Sequence, residues 1–203
     1  VTQPQIIIPE MTIVYSSAIR PSNPEFAAGK AAGCRFMHRS QALALAAADR
    51  KFVAVAGAHG KTTTSGMIAQ TFSQLGADPS FAVGGVVTHY QTGAHLGTGE
   101  YFIAEADESD GSFLNYRPQL AIITNIEADH LDNYGSSEQF ARAFFDFAHC
   151  IEPGGTLILC TDDPGCRTLL KQLRPQGDLD ESCSPKIRIL GYGLQAPPAG
   201  LDD

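Results

Sequence analysis

The run Phe52-Val53-Ala54-Val55-Ala56-Gly57-Ala58-His59-Gly60-Lys61-Thr62-Thr63-Thr64 joins an apolar segment to a glycine turn, a lysine and a row of threonines. Those residue types in that order suit an anion. Gly57 and Gly60 let the backbone approach a ligand closely. A helix opening at Lys61 offers unpaired N–H groups and the positive end of its dipole. Lys61 adds a point charge, expected to be exposed to solvent while no nucleotide is bound, and Thr62 a hydroxyl placed for a nucleotide's magnesium ion. The general P-loop pattern asks for a glycine where Val55 stands, whereas the shorter Gly-x-x-Gly-Lys-Thr-Thr fits fully. The alternative is a glycine turn with a chance lysine. Its context disfavours that, because Met67, Ile68, Phe72 and Leu75 follow at helical spacing and predict a buried stripe. Gly76 and Pro79 end this helix.

Two further segments hold groups that ionise or bind metal. Glu105-Ala106-Asp107-Glu108-Ser109-Asp110 directly follows the apolar run Tyr101-Phe102-Ile103-Ala104. So much negative charge in one turn calls for water or a cation. Asp107, Glu108 and Asp110 read as a solvated acidic turn, while Glu105, first after the strand, is expected to face the crevice. The second segment, Asn125-Ile126-Glu127-Ala128-Asp129-His130-Leu131-Asp132, follows Leu120 to Thr124. There His130 has one ring nitrogen to offer a metal while a neighbour orients the other, although a histidine in isolation is more often a surface or hydrogen-bonded residue. His38, His89, His95 and His149 read as structural.

The elements that must position these groups alternate. Thr12 to Tyr15 reads as a strand, Asn23-Pro24 as a helix start, Arg35-Phe36-Met37 as a strand, and Ser40 as the cap of a helix to about Asp49. The apolar runs ending at Ala56, Ala104 and Thr124 have the character of strands covered on both faces. Ser136 with Gln139 marks a helix to His149 bearing Phe140, Phe144 and Phe147 on one face. Thr156 to Cys160 reads as a strand, Asp163-Pro164 as a helix start with Pro175 at its close, and Lys186 to Leu190 as a final strand. The predicted fold class is α/β, a P-loop-containing, mostly parallel sheet flanked by helices, with ligands at the carboxyl ends of the strands.

Composition narrows the function. With 14 Lys and Arg against 22 Asp and Glu, the formal net charge is −8. No basic stripe is visible, which disfavours nucleic acid as a partner, so an anionic ligand must be held locally. No apolar run reaches membrane-spanning length and no signal-peptide pattern opens the chain, so no membrane association and a cytoplasmic location are expected. The five cysteines are odd in number and lack Cys-x-x-Cys spacing, which argues against a disulfide framework or thiolate zinc site.

Together, Gly57 to Thr64, Glu105 to Leu114 and Thr124 to Asp132 resemble the motifs of the Mur ligase family of bacterial cell-wall synthesis, in their order and spacing. The likeness is greatest to the alanine-adding branch and covers about residues 12 to 173. Asp78-Pro79-Ser80-Phe81 with Gly84-Gly85, Ala94-His95-Leu96-Gly97, and Ser16-Ser17-Ala18-Ile19 before Asn23-Pro24-Glu25 extend it. The resemblance implies an ATP- and magnesium-dependent amide ligase joining L-alanine to UDP-N-acetylmuramate through an acyl phosphate. It implies that Gly57, Ala58, His59, Gly60, Lys61, Thr62, Thr63 and Asn125 hold the nucleotide. Thr62 and Glu105 would hold the first magnesium, His130 a second, and Ser16, Ser17 and Ala18 would lie near the UDP-sugar. Lys61, Glu105 and His130 are the implied catalytic set. Residues 1–50 would be the remnant of a UDP-binding domain and 51–203 the central ATP-binding domain, with the C-terminal ligase domain absent and this fragment inactive alone. Some relatives bridge their metals with a carbamylated lysine, but no lysine lies between Lys61 and Lys171, which agrees with the alanine-adding branch. A murein tripeptide ligase of wall recycling, or a nucleotide-binding module without catalysis, are the competing readings.

Overall fold

The computed structural model of the chain describes residues 3–127, 134–174 and 186–202. It divides into two compact units, Val1–Ala46 and Ala47–Asp203. In the first, β1 (Thr12–Tyr15) and β2 (Arg35–His38) pair in parallel, α1 (Pro24–Ala32) connects them and α2 (Arg39–Ala46) follows. Asn23 starts α1 as its type predicts, its Oδ1 accepting from Glu25 N and Phe26 N, with Pro24 in the first turn. Tyr15, Phe26 and Phe36 pack edge-on and tilted around β1, with centroids 5.5 Å apart for Tyr15 and Phe26 and 4.7 Å for Phe26 and Phe36. Ser40, expected as the cap of the next helix, instead lies inside α2, buried, its Oγ 2.8 Å from His38 Nδ1. That helix ends at Ala46, short of Asp49.

The second unit is a seven-stranded sheet between helices. Its elements are β3 (Lys51–Ala56), α3 (Lys61–Gln74), β4 (Ser80–Val87), β5 (Thr92–His95), β6 (Tyr101–Glu105), β7 (Leu120–Ile123), α4 (Ser137–His149), β8 (Thr156–Cys160), α5 (Pro164–Leu173) and β9 (Arg188–Tyr192). The strand order is β5-β4-β6-β3-β7-β8-β9, parallel throughout except for β4 with β5. From β3 the chain first winds toward β4 and afterwards toward β9, so right-handed crossovers place α3 on one face and α4 and α5 on the other. β3 is therefore covered on both sides, which explains its unbroken apolar run: Phe52 to Ala56 are at most 3 % exposed.

Each face has its own core. Val53, Ala69, Phe81, Val87 and Ile103 are buried together, with Ile68 and Phe72 of α3 packed against them. Met67 and Leu75, expected in the same stripe, point outward instead, 65 % and 77 % exposed, because the small Ser65 and Ala69 take the buried side of α3. On the opposite face Phe140, Phe144 and Phe147 of α4 are buried, and Phe113 stacks on Phe147 at 4.8 Å. The final strand runs two residues later than its alternation predicts, at Arg188–Tyr192. The hairpin of β4 and β5 lacks a strand-like apolar alternation, because Gly84, Gly85 and Gly93 interrupt it. No helix among the described residues is long and apolar enough to cross a membrane.

One carboxylate fastens the segment after β7 to this frame. Asp163 Oδ1 caps α5 through Cys166 N at 2.7 Å and also accepts from Ile126 N at 3.0 Å. Replacing Asp163 with Ala should strand two donors at a site only 8 % exposed and lower the unfolding free energy by about 2 kcal/mol. Asp163→Asn keeps the acceptor and should lose less; guanidinium unfolding of the three proteins checks this.

Candidate anion and metal site

β3 has β6 on one side and β7 on the other, so the loops leaving these three strands meet at one edge of the sheet. Gly57 to Gly60 leave β3, Glu105 ends β6, and Thr124 and Asn125 follow β7. The glycine loop runs into α3, with Gly60 as its N-cap in the left-handed conformation. Gly57 has φ +129°, and a Cβ there would lie 2.2 Å from Thr124 Oγ1. Only glycine suits a turn so close to β7.

The loop is held from β7. Asn125 uses both ends of its amide on one residue: Nδ2 donates to His59 O at 2.9 Å and Oδ1 accepts from His59 N at 2.9 Å. Thr124 Oγ1 lies 2.6 Å from His59 O and 3.2 Å from Ala56 O. Asn125 thus shapes the loop through its backbone. The threonine and asparagine at the end of a buried strand are the sequence signal for this clamp, although a hydroxyl there has no distinctive spacing that singles out Thr124. Glu127 Oε2 approaches His59 Nε2 to 3.7 Å, with both side chains exposed.

Thr62 and Glu105 come together as the motifs imply. Thr62 Oγ1 donates to Glu105 Oε2 at 3.0 Å, and Gly84 N donates to Glu105 Oε1 at 2.5 Å. A Cβ on Gly85 would lie 2.8 Å from Thr62 Cγ2, so β4 reaches this pair only by having no side chain there. A hydroxyl and a carboxylate are the hard oxygen donors magnesium takes, and it ordinarily fills the rest of its shell with water and phosphate oxygens. The two residues fit such an ion. Among the described residues no group of three His, Cys, Asp or Glu side chains is gathered to hold a metal. Thr63 is exposed on the first turn of α3 and Ala58 half-buried in the loop. His130 lies outside the described residues. Ser16, Ser17 and Ala18 belong to the first unit, in the turn after β1 that Ile19 N closes on Ser16 O at 3.0 Å.

Two expectations are overturned. Glu108 is not solvated: it is 0 % exposed, and its Oε1 lies 2.9 Å from Lys61 Nζ. Lys61 is in turn only 17 % exposed, its ammonium also donating to Gly57 O at 2.6 Å. The reason is the path of the chain after β6. It turns inward at Ala106, which is fully buried, and Tyr134 OH donates to Glu108 O, which carries the side chain under the loop. Asp107 and Asp110 are half-buried and make local turns through Ser109 N and Ser112 N. Burial pushes the Glu108 carboxyl above its usual range against the opposing pull of Lys61. Burial and the carboxylates of Glu108, Asp110 and Asp107 push the Tyr134 hydroxyl up to about 12, so it stays a neutral donor. Nothing in the spacing separates Glu108 from its acidic neighbours, and only the chain path does.

Comparison with known proteins places this geometry among relatives. The family description "Mur ligase middle domain" matches residues 55–179, and "Mur ligase family, catalytic domain" matches residues 2–51. UDP-N-acetylmuramate--L-alanine ligase of Salinispora arenicola is 52 % identical over 166 residues, 82 % of this chain and 32 % of that protein. The ligase of the same name from Renibacterium salmoninarum is 50 % identical over 185 residues, 91 % of this chain and 38 % of that protein. The chain thus spans about a third of the length of the curated relatives it matches. Among solved structures, UDP-N-acetylmuramate-alanine ligase MurC from Thermotoga maritima superposes with a TM-score of 0.73 at 25 % identity, over 91 % of this chain and 39 % of that one.

The buried pair makes two predictions. Lys61→Ala leaves Glu108 without its cation and should cost about 3 kcal/mol of stability, most of it restored by adding Glu108→Gln. Because the folded protein raises the Glu108 value, the native state holds that proton to higher pH than the unfolded chain does. The associated stability is full below the ordinary glutamate range and is lost as pH rises through the raised value. Glu108→Gln should remove that slope; urea unfolding of both proteins from pH 4 to pH 7 checks it.

Proposed function

The chain belongs to the Mur ligase family, and from that premise we propose that it supplies the ATP-binding part of a ligase that joins L-alanine to UDP-N-acetylmuramate. The observation that carries this reading is the meeting of Lys61, Thr62 and Glu105 at the carboxyl ends of β3 and β6, on a loop clamped by Asn125. The names of the relatives at 50 % and 52 % identity favour L-alanine over a wall tripeptide as the acceptor amine. We read residues 1–50 as part of a UDP-binding domain and 51–203 as the ATP-binding domain. The division of the chain at Ala46 and Ala47 supports that reading.

A carboxylate resists attack by an amine, since its charge repels the nucleophile and an oxide ion is a poor leaving group. In the proposed reaction the muramate carboxylate takes the γ-phosphoryl of ATP, releasing ADP. The amine then attacks the acyl carbon, the C–O bond to phosphate breaks, and the amine gives up a proton as the amide forms. Lys61 and the loop amides receive the β- and γ-phosphates, whose charge the helix dipole also favours. Thr62 and Glu105 would hold the first magnesium and His130 a second. Magnesium, when bound, neutralises charge developing on the transferred group and aligns two anions that otherwise repel. The Asn125 amide fixes the loop so that its donors need not reorganise during transfer. Ser16, Ser17 and Ala18 would face the UDP-sugar.

In a longer protein carrying this chain, Lys61→Ala should lower nucleotide turnover by about 10²–10³-fold, the scale for losing a preorganised donor. Glu105→Ala should raise the magnesium concentration needed for half-maximal rate. Phosphate release measured across a magnesium titration checks both, and a wild-type rate in Lys61→Ala would refute the loop assignment. The 203-residue chain, which spans about a third of the length of its relatives, should yield no alanylated product by mass spectrometry when incubated with ATP, magnesium, UDP-N-acetylmuramate and L-alanine, since the amine must be held in near-attack geometry.

A further inference from the structure

The Lys61 ammonium has three protons, and the chain itself offers an acceptor for each. Gly57 O lies at 2.6 Å, Glu108 Oε1 at 2.9 Å and Ala58 O more loosely at 3.4 Å. The carboxylate is the strongest of the three acceptors, since both partners of that bond are charged. Its other oxygen, Glu108 Oε2, is buried with no hydrogen-bond partner among the described residues. A buried carboxylate leaning on a single cation gives that cation up at a cost.

We propose that Glu108 is an internal competitor of nucleotide phosphate: it occupies Lys61 in the empty loop and lowers the affinity of the loop for the phosphates that must share or take its place. This rests on the reading of the loop as the nucleotide site. A phosphate oxygen has two routes to Lys61 Nζ. If it displaces the weak contact to Ala58 O, the phosphate and Glu108 become two anions on one ammonium, in surroundings that screen their repulsion poorly. If it displaces Glu108, the carboxylate stays buried with neither oxygen paired to a cation. Both routes subtract from phosphate binding, and neither penalty exists if residue 108 is neutral.

The arrangement has a use in a reaction that ends with ADP on the loop. Phosphate held equally tightly before and after transfer gains nothing for the chemical step and delays release. A carboxylate already beside Lys61 recaptures the ammonium as the product departs.

The test is calorimetric titration of this chain with ADP and magnesium, compared with AMP. Glu108→Gln keeps the shape and removes the charge; it should bind ADP about tenfold more tightly, the worth of one charged hydrogen bond. AMP, which has no β-phosphate, should gain less than about twofold by the same arithmetic. A general loosening of the fold would move both ligands alike. Thermal unfolding verifies that the variant is folded, and Glu108→Leu, expected to change ADP affinity in the same direction, replaces it if it is not. Weaker or unchanged ADP binding in a folded variant, with wild-type binding that Lys61→Ala abolishes, overturns this inference alone. An equal gain for AMP also overturns it. Failure of wild type and Glu108→Gln alike to bind ADP overturns the nucleotide-site reading and this inference with it.

Discussion

An anion-binding loop works under a constraint: amides that are to meet a ligand cannot also be spent holding the loop in shape. This chain meets it by holding the loop through its carbonyls. His59 O accepts from Thr124 and Asn125, and Gly57 O accepts from Lys61. His59 N is the amide given up, to Asn125 Oδ1. The sheet order follows from the same need, because the loop must leave a strand whose neighbour ends in residues able to reach back. β7 is that neighbour, and the close pass of Gly57 against Thr124 is its steric trace. On the other flank β6 delivers Glu105 to Thr62.

The two glutamates of the β6 turn, three positions apart, carry two chemistries. Glu105 is partly open, accepts from Gly84 N and Thr62 Oγ1, and keeps oxygens suited to a hard cation. Glu108 is closed off, accepts from one ammonium and sits above its usual range through burial. Tyr134 supports the second arrangement by fixing the backbone at Glu108 while its own hydroxyl stays protonated. Charge alone would make the two equivalent, and access to solvent makes them different.

Much of this was legible in the residues. β3, β6 and β7 announce themselves as apolar runs because these parallel strands are buried on both faces. Asn23, Ser136 and Asp163 start their helices because a short polar side chain beside free N–H groups has few better uses. The glycine loop, Lys61, Thr62 and Glu105 were readable because the chemistry demands those types at those intervals. Other features depend on the chain path. The β4–β5 hairpin hides behind glycines that exist for Thr62 and for tight strand contact, which break its alternation. Met67 and Leu75 fit a helical stripe by period, yet the sheet lies under the smaller Ser65 and Ala69. Glu108 is one acid among several until the turn after Ala106 buries it.

Asp163 bears on how the site comes into being during synthesis. Its bond to Ile126 N joins residues 37 positions apart, and the same oxygen caps α5 through Cys166 N. A chain emerging from its N-terminus completes β3, the glycine loop and β7 well before that carboxylate exists. Until Asp163 arrives, the stretch beyond Asn125 lacks its distal anchor, and the amide that grips His59 sits at the end of a strand whose continuation is untethered. The glycine loop is thus among the earliest parts of this unit to be made, while the tether of Ile126, beside the residue that grips it, comes late.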